Sequence, residues 1–415
     1  MVAWFQHLAR RGFAWVRHSR VHWPRPVQRA VSWLRWRIPS SWIRRWHPNH
    51  RGRVDVVIET GRPALASTAV RLFVGPANFA GQGYLWAKAA GRLPDVSAVA
   101  GCFANDSSTF VADQRVRMDR WARDRRWQRE QLEYLESCTH VLLEAARPIL
   151  GNLHGFDPLA DLAALERSGV STAMIAHGTD ARLPSRHSAR YPFSPFADSR
   201  WEEVPILEAS AARSLARYQR FSGPVFVSTP DLLDDLPEAL WCPVVVEKER
   251  WITSRRVLSS PVPVVVHAPS NTRLKGSEIV DSAARGLHDQ GLLCYRPVRQ
   301  VPADDMPEVV ADADVVIDQL RIGSYGVTAC EAMAAGRLVV GHVADHVRER
   351  VRQRCGLELP IVEATPDSLA QVLEQIALQP QAFVEIADRG PEFVTTLHDG
   401  TASAEVLSTW LVQNG

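Results

Sequence analysis

The chain has no acidic residue before Asp55, no cysteine pair in CxxC spacing and no apolar run long enough to cross a bilayer. Its six cysteines (Cys102, Cys138, Cys242, Cys294, Cys330 and Cys355) are scattered. That spacing excludes a zinc site and a disulfide framework, and it fits free thiols in a reducing cytosol. The missing apolar run excludes a membrane-spanning helix. No signal peptide with a clean apolar core is present either, so the expected location is the cytoplasm. A formal net charge of only +2 argues against a general nucleic-acid binder. The 46% apolar and 23% charged content is that of a globular protein. At 415 residues the chain exceeds what one core usually serves, so two domains are expected.

Residues 1–53 differ from the rest. Ten arginines, from Arg10 to Arg45, alternate with Trp4, Trp15, Trp23, Trp33, Trp36, Trp42 and Trp46, and prolines at 24, 26 and 39 cut the segment into short pieces. Arg and Trp on short amphipathic helices suit an anionic membrane surface, such as the inner face of the plasma membrane. Packing against the body, disorder and a misplaced start codon are the open alternatives.

From Thr68 the pattern alternates strand and helix. Val70–Val74 reads as a strand. Gly75, Gly81 and Gly83 then form a glycine-rich loop, with Asn78 and Gln82 as hydrogen-bond donors, before a helix at Tyr84–Arg92. A dinucleotide fingerprint fails here: Trp86 stands at the third glycine position, and no acid closes the strand at Val96–Cys102. Met118–Leu135 reads as one charged helix with a solvated face. Strands follow at Thr139–Leu143, Thr172–Ala176 and Val225–Ser228. The second of these runs into His177-Gly178-Thr179-Asp180, at the strand edge where open α/β sheets bind ligands. Prolines 237, 243, 261 and 263 mark a connector.

The second half repeats the logic. A strand at Val262–His267 leads through Ser270, Arg273, Lys275 and Gly276 into a helix at Ser277–Gly286. Two cations near a helix N-terminus suit a pyrophosphate. Leu292–Arg296 is a strand and Met306–Ala311 a short helix. Asp312-Ala313-Asp314 has the form of a metal motif but reads better as a helix-end turn. Val315–Leu320 reads as a buried strand, Gly323, Ser324 and Gly326 as a turn, Thr328–Ala335 as a helix and Leu338–Val340 as the next strand. The N–H groups at Tyr325, Gly326, Val327 and Thr328 would face an anion, with Glu331 one turn further in.

Glu331-Ala332-Met333-Ala334-Ala335-Gly336 closely resembles the end of the signature of retaining, nucleotide-sugar-dependent glycosyltransferases of family 4. Ser324-Tyr325-Gly326 matches its earlier part loosely. The signature's first glutamate, eight positions before the second, falls here on Gly323. Lys275-Gly276 matches the family's diphosphate-gripping pair. The partner arginine position falls on Ser270, which makes Arg273 the expected substitute. His177-Gly178-Thr179-Asp180 resembles the family's His-Gly-Ser-Asp turn.

The resemblance implies an α/β protein of GT-B fold, with two Rossmann-like domains facing across a cleft. Residues 54–245 would be the acceptor domain. Residues 246–415 would be the donor domain, with a final helix crossing back. It implies transfer of a sugar from a nucleoside-diphosphate sugar, with retention and without a metal or other cofactor. His177, Arg273 and Lys275 would be catalytic, and Glu331, Ser270 and residues 325–328 would hold the nucleotide. Asn78, Gly81, Gln82, Gly83 and Asp180 would form an acceptor or donor-sugar loop. The implied acceptor is a cell-envelope glycan or lipid-linked sugar. The alternative is a sugar-nucleotide-binding or membrane-associated scaffold without turnover.

Overall fold

The computed structural model describes residues 58–104, 110–299 and 301–412. The Arg/Trp-rich segment 1–53, and with it the membrane expectation, lies outside them.

The first unit is a seven-stranded parallel sheet in the order β3-β2-β1-β4-β5-β6-β7. Its strands are β1 (Val70–Gly75), β2 (Val96–Ala104), β3 (Gln114–Arg117), β4 (His140–Glu144), β5 (Ser171–Ala176), β6 (Val225–Val227) and β7 (Leu240–Trp241). The helices between them are α1 (Gln82–Ala90), α2 (Met118–Arg123), α3 (Arg125–Glu136), α4 (Pro158–Arg167), α5 (Pro184–Arg190) and α6 (Val204–Arg220). The single charged helix expected over Met118–Leu135 is instead two. Asp124 adopts an extended backbone, and its carboxylate accepts from the N–H groups of Arg126 and Trp127, capping α3. The middle of each central strand is apolar because both faces are covered. In β1 and β4, Leu72, Phe73, Val74, Val141, Leu142 and Leu143 are fully buried.

The second unit is a five-stranded parallel sheet in the order β12-β11-β10-β8-β9. It comprises β8 (Val264–His267), the short α7 (Thr272–Lys275), α8 (Ser277–Asp289), β9 (Cys294–Pro297), α9 (Met306–Ala311), β10 (Val315–Ile317), α10 (Val327–Ala334), β11 (Leu338–Gly341), α11 (Asp345–Cys355) and β12 (Ile361–Glu363). Four helices close the described chain: α12 (Leu369–Leu378), α13 (Gln381–Asp388), α14 (Gly390–Leu397) and α15 (Thr401–Leu411). The strand expected over Val315–Leu320 stops at Ile317. Asp318 N–H still donates to the Val340 carbonyl and the Gln319 carbonyl accepts from His342 N–H, but beyond Ile317 the chain leaves strand geometry and both side chains are buried polar groups.

Asp314 is fully buried and accepts from the N–H groups of Leu258 and Val264, with Arg255 beside it. The Asp312-Ala313-Asp314 tripeptide is thus a structural turn. Among the described residues, no helix is long and apolar enough to cross a membrane.

Several sets of contacts join the two units. The last helix, α15, returns to the first sheet. There Leu407, Trp410 and Leu411 share a core with Leu72, Trp86 and Phe226, and Trp410 Nε1 donates to Ser171 Oγ at 2.8 Å. Burying side chains of this size contributes about 1.5–3 kcal/mol each. At the connector, Trp86 Nε1 donates to the Pro243 carbonyl and the Gln82 amide pairs with both backbone groups of Val245. On the far side, Asp234 accepts from Tyr191, Arg190 and from Arg350 of α11. These contacts set the two strand edges face to face.

Candidate functional site

The carboxyl ends of the first sheet carry three turns that meet at one carboxylate. Glu144 closes β4 and is fully buried. One oxygen accepts from the N–H groups of Ala77 and Asn78, both at 2.9 Å, and the other lies 2.9 Å from His177 Nε2. His177 follows β5, and its ring sits between those of Phe79 (5.2 Å) and Trp86 (5.1 Å). Gly83 is glycine for a steric reason: a Cβ there would lie 2.8 Å from both Glu144 oxygens.

The other polar residues of these turns serve the turns themselves. Asn78 donates to the Val111 carbonyl and accepts from Tyr84 N–H. Gln82 is consumed by Val245. Asp180 accepts from the N–H groups of His177 and Gly178 and from the Tyr218 hydroxyl. The expectation that Asn78, Gln82 and Asp180 face a ligand is therefore corrected: their polar atoms are committed within the protein.

Across the cleft, Asp318 plays the part that Glu144 plays in the first unit. It follows β10, is 2% exposed, and accepts from Gly326 N–H at 2.9 Å. Its other oxygen lies 2.5 Å from Lys275 Nζ. The Lys275 ammonium is thereby fixed beside the N-terminus of α10. Gly326 N–H is taken by this carboxylate, which corrects its assignment as a free phosphate donor. Among the described residues, no hydrogen-bond partner is found for the Val327 and Thr328 N–H groups.

Arg273, two residues from Lys275 on a single helical turn, does not join it. It is exposed and donates to the Arg200 carbonyl at 3.3 Å. Ser270 is exposed on the same loop. The Tyr325 side chain is buried away from the cleft, its hydroxyl 3.1 Å from His398 Nε2. Only its backbone remains for a ligand.

Gly81, Val327 and Glu331 do meet. They line one cleft between the units together with Tyr84, Arg250, Trp251 and Asp304. Glu331 is half-buried. Burial pushes its carboxyl up to about 8; Lys275 and Arg250 oppose the shift, and Asp318 adds to it. Folding stability should therefore fall with pH here. The folded protein keeps the Glu331 proton up to about pH 8, whereas the unfolded chain releases it near its ordinary value of 4.5. Between these two values each rise in pH favours the unfolded state, and above pH 8 the loss is complete. Urea unfolding at pH 6 and pH 8.5 should show this slope in wild-type protein and a weaker one in Glu331→Gln, which should also be the more stable of the two at pH 8.5. Equal slopes in both proteins would remove Glu331 as the cause.

Glu144, Asp318 and Arg250 were missed in the sequence. Glu144 and Asp318 do carry a signal: each is an acid at the carboxyl end of an apolar parallel run, on the ligand-binding edge. Among the described residues, no group of three or more His, Cys, Asp or Glu is placed to hold a metal ion.

No protein-family model matches the chain, and no curated protein matches it in sequence. Solved structures do. A structure of Anabaena Alr3699/HepE in complex with UDP and glucose superimposes with a TM-score of 0.54 at 14% identity, covering 82% of this chain and 98% of that one. Sucrose-phosphate synthase from Thermosynechococcus elongatus gives 0.53 at 14% identity, covering 83% and 98%. An alpha-glucosyltransferase in complex with UDP and a 13-mer DNA gives 0.54 at 8% identity, covering 83% and 99%. The two parallel sheets and their helices are those of the GT-B fold.

Proposed function

We propose that this protein moves a sugar from a nucleoside-diphosphate sugar to an acceptor hydroxyl, in the manner of the retaining family 4 glycosyltransferases. The observation that carries the reading is that Lys275 is fixed beside the N-terminus of α10, next to the cleft that Val327 and Glu331 line together with Gly81. A diphosphate seated beside Lys275 and the Val327 and Thr328 N–H groups would be stabilised as the glycosidic bond breaks. Glu331 would accept from ribose hydroxyls. His177, held by Glu144, would face the transferred sugar. The neighbours crystallised with UDP or UDP-glucose support a sugar nucleotide as donor. The acceptor we propose is an envelope glycan or lipid-linked sugar, with residues 1–53 holding the protein at an anionic membrane surface.

A thermal-shift screen against common sugar nucleotides should find a stabilising donor, and the purified protein should transfer or hydrolyse its sugar. His177→Gln can keep a hydrogen bond to Glu144, so its melting temperature should stay near that of wild type. Its turnover should fall roughly a hundredfold, the usual scale for a group that acts in the transition state. Unchanged turnover would return His177 to a packing role. A binder without turnover is favoured by Gly323 and Ser270, which replace two residues of the signature. Donor binding with neither transfer nor hydrolysis would establish it.

A further inference from the structure

The structure assigns a second subsite, on the first unit's side of the cleft. We propose that Phe79 and Arg147 seat an acceptor that carries a phosphate next to an apolar group. The inference rests on the sugar-transfer reading and deepens it by naming the acceptor's chemistry.

Phe79 and Arg147 leave neighbouring strands of one sheet, β1 and β4, whose ends are in register at Gly75 and Leu143. Phe79 is 40% exposed, on a loop whose other apolar side chains are mostly covered. Its ring edge meets His177, and the Arg147 guanidinium lies over its face, 4.6 Å from the centroid. The backbone is bent to bring them together: Asn78, Ala80, Ala145 and Ala146 all take left-handed φ, between +46° and +55°. Such conformations are unfavourable for residues other than glycine, and they persist where the surroundings impose them. Arg217 holds the second turn by donating to the Ala146 carbonyl at 3.3 Å.

Glu144 and Asp180 act on the Arg147 charge through space but do not pair with it. The nearest acids, Glu144 and Asp180, are saturated by donors other than Arg147. Arg147 has no ion pair with any described residue. Arg147 is exposed as a residue while burial around its guanidinium lowers its pKa; stacked on an aromatic ring, the guanidinium offers its edge donors in a fork that matches a phosphate. Val111, 50% exposed, adds apolar surface at the first unit's side of the same cleft. A phosphate on Arg147 would place the adjoining chain on Phe79 and Val111, and a sugar beyond the phosphate would reach toward His177. A lipid-linked sugar and a soluble sugar phosphate share this chemistry, and the apolar flank favours the former.

The test is calorimetry on the full chain with hexyl phosphate, hexyl β-glucoside and inorganic phosphate as probes. Hexyl phosphate should bind tightest of the three. Arg147→Ala should weaken it roughly tenfold or more, as expected for a charge-assisted contact. Phe79→Ala should weaken hexyl phosphate but leave inorganic phosphate unchanged. Both variants keep residues 1–53, so attraction of the probe to that segment cancels in the comparison. Folding is checked by the melting temperature, and Arg147→Lys should retain part of the affinity. Equal binding of hexyl phosphate by wild type and Arg147→Ala would overturn the proposal, as would no binding at millimolar probe or equal affinity for the glucoside. Inorganic phosphate binding as tightly as hexyl phosphate would overturn the apolar half. UDP titrated into the same samples separates the two failures. UDP binding in samples where hexyl phosphate affinity ignores Arg147→Ala sinks only this subsite, whereas absence of any nucleotide binding sinks the donor reading.

Discussion

Gly323→Glu, which would write the signature's first glutamate back into this chain, is expected to destabilise the protein by about 2–5 kcal/mol and to give no gain in turnover. Gly323 sits at φ +71°, a backbone conformation that costs an L-residue about 1–2 kcal/mol. A Cβ there would lie 2.4 and 2.5 Å from two ring carbons of Tyr191. Tyr191 is not free to move. Its hydroxyl is 2.7 Å from Asp234 Oδ2 and 3.0 Å from His346 Nε2, and its ring stacks on His187 at 4.3 Å. Forcing a side chain into such a contact adds about 1–3 kcal/mol, which gives the sum above. Urea unfolding should show a lower midpoint at an unchanged slope. Gly323→Ala should carry most of the same loss, because the conflict begins at Cβ. A Gly323→Glu protein as stable as wild type and faster in sugar transfer would show that the loop takes another conformation in solution.

That substitution marks where the sequence could be read and where it could not. The alternation of apolar strands and helices was legible because parallel strands covered on both faces are apolar through their middle. The helix at Met306–Ala311 and the turn before α10 stand where the pattern puts them. The break at Asp124 was not legible, since a charged face on either side continues the same helical pattern. The departure at Gly323 could be read as a missing residue. Its reason is Tyr191, more than a hundred residues away and fixed by partners from both units. Asn78, Gln82 and Asp180 had the right chemistry for ligand contacts, but their partners are backbone groups that only the fold brings near. Glu144 and Asp318 were hidden for the opposite reason. Each stands at the end of an apolar run whose period predicts burial, and burial of a carboxylate becomes explicable only once its donors are visible.

The Asp318–Lys275 pair gives the second large effect. Lys275→Met is expected to weaken nucleoside diphosphate binding by at least about 1.5–3 kcal/mol, or roughly ten- to a hundredfold, on the scale of one charge-assisted contact. The loss should exceed that of an ordinary surface lysine, because Asp318 stays behind, buried and unpaired, beside the same helix N-terminus. It would then repel the phosphate that Lys275 had attracted. It should also lower stability, since removing one partner of a buried pair is costlier than removing both. The double variant Lys275→Met/Asp318→Asn separates the two effects. Its asparagine can still accept from Gly326 N–H without charge, so stability should return most of the way to wild type. Nucleotide affinity should recover only the repulsive part and stay well below wild type, because no cation remains. Arg273 will not compensate, being turned toward the Arg200 carbonyl. Calorimetry with the best donor and urea unfolding, run on all four members of the cycle, give both energies. If the double variant binds nucleotide as wild type does, Lys275 is only the counter-ion of Asp318, and the diphosphate seat lies elsewhere in the cleft.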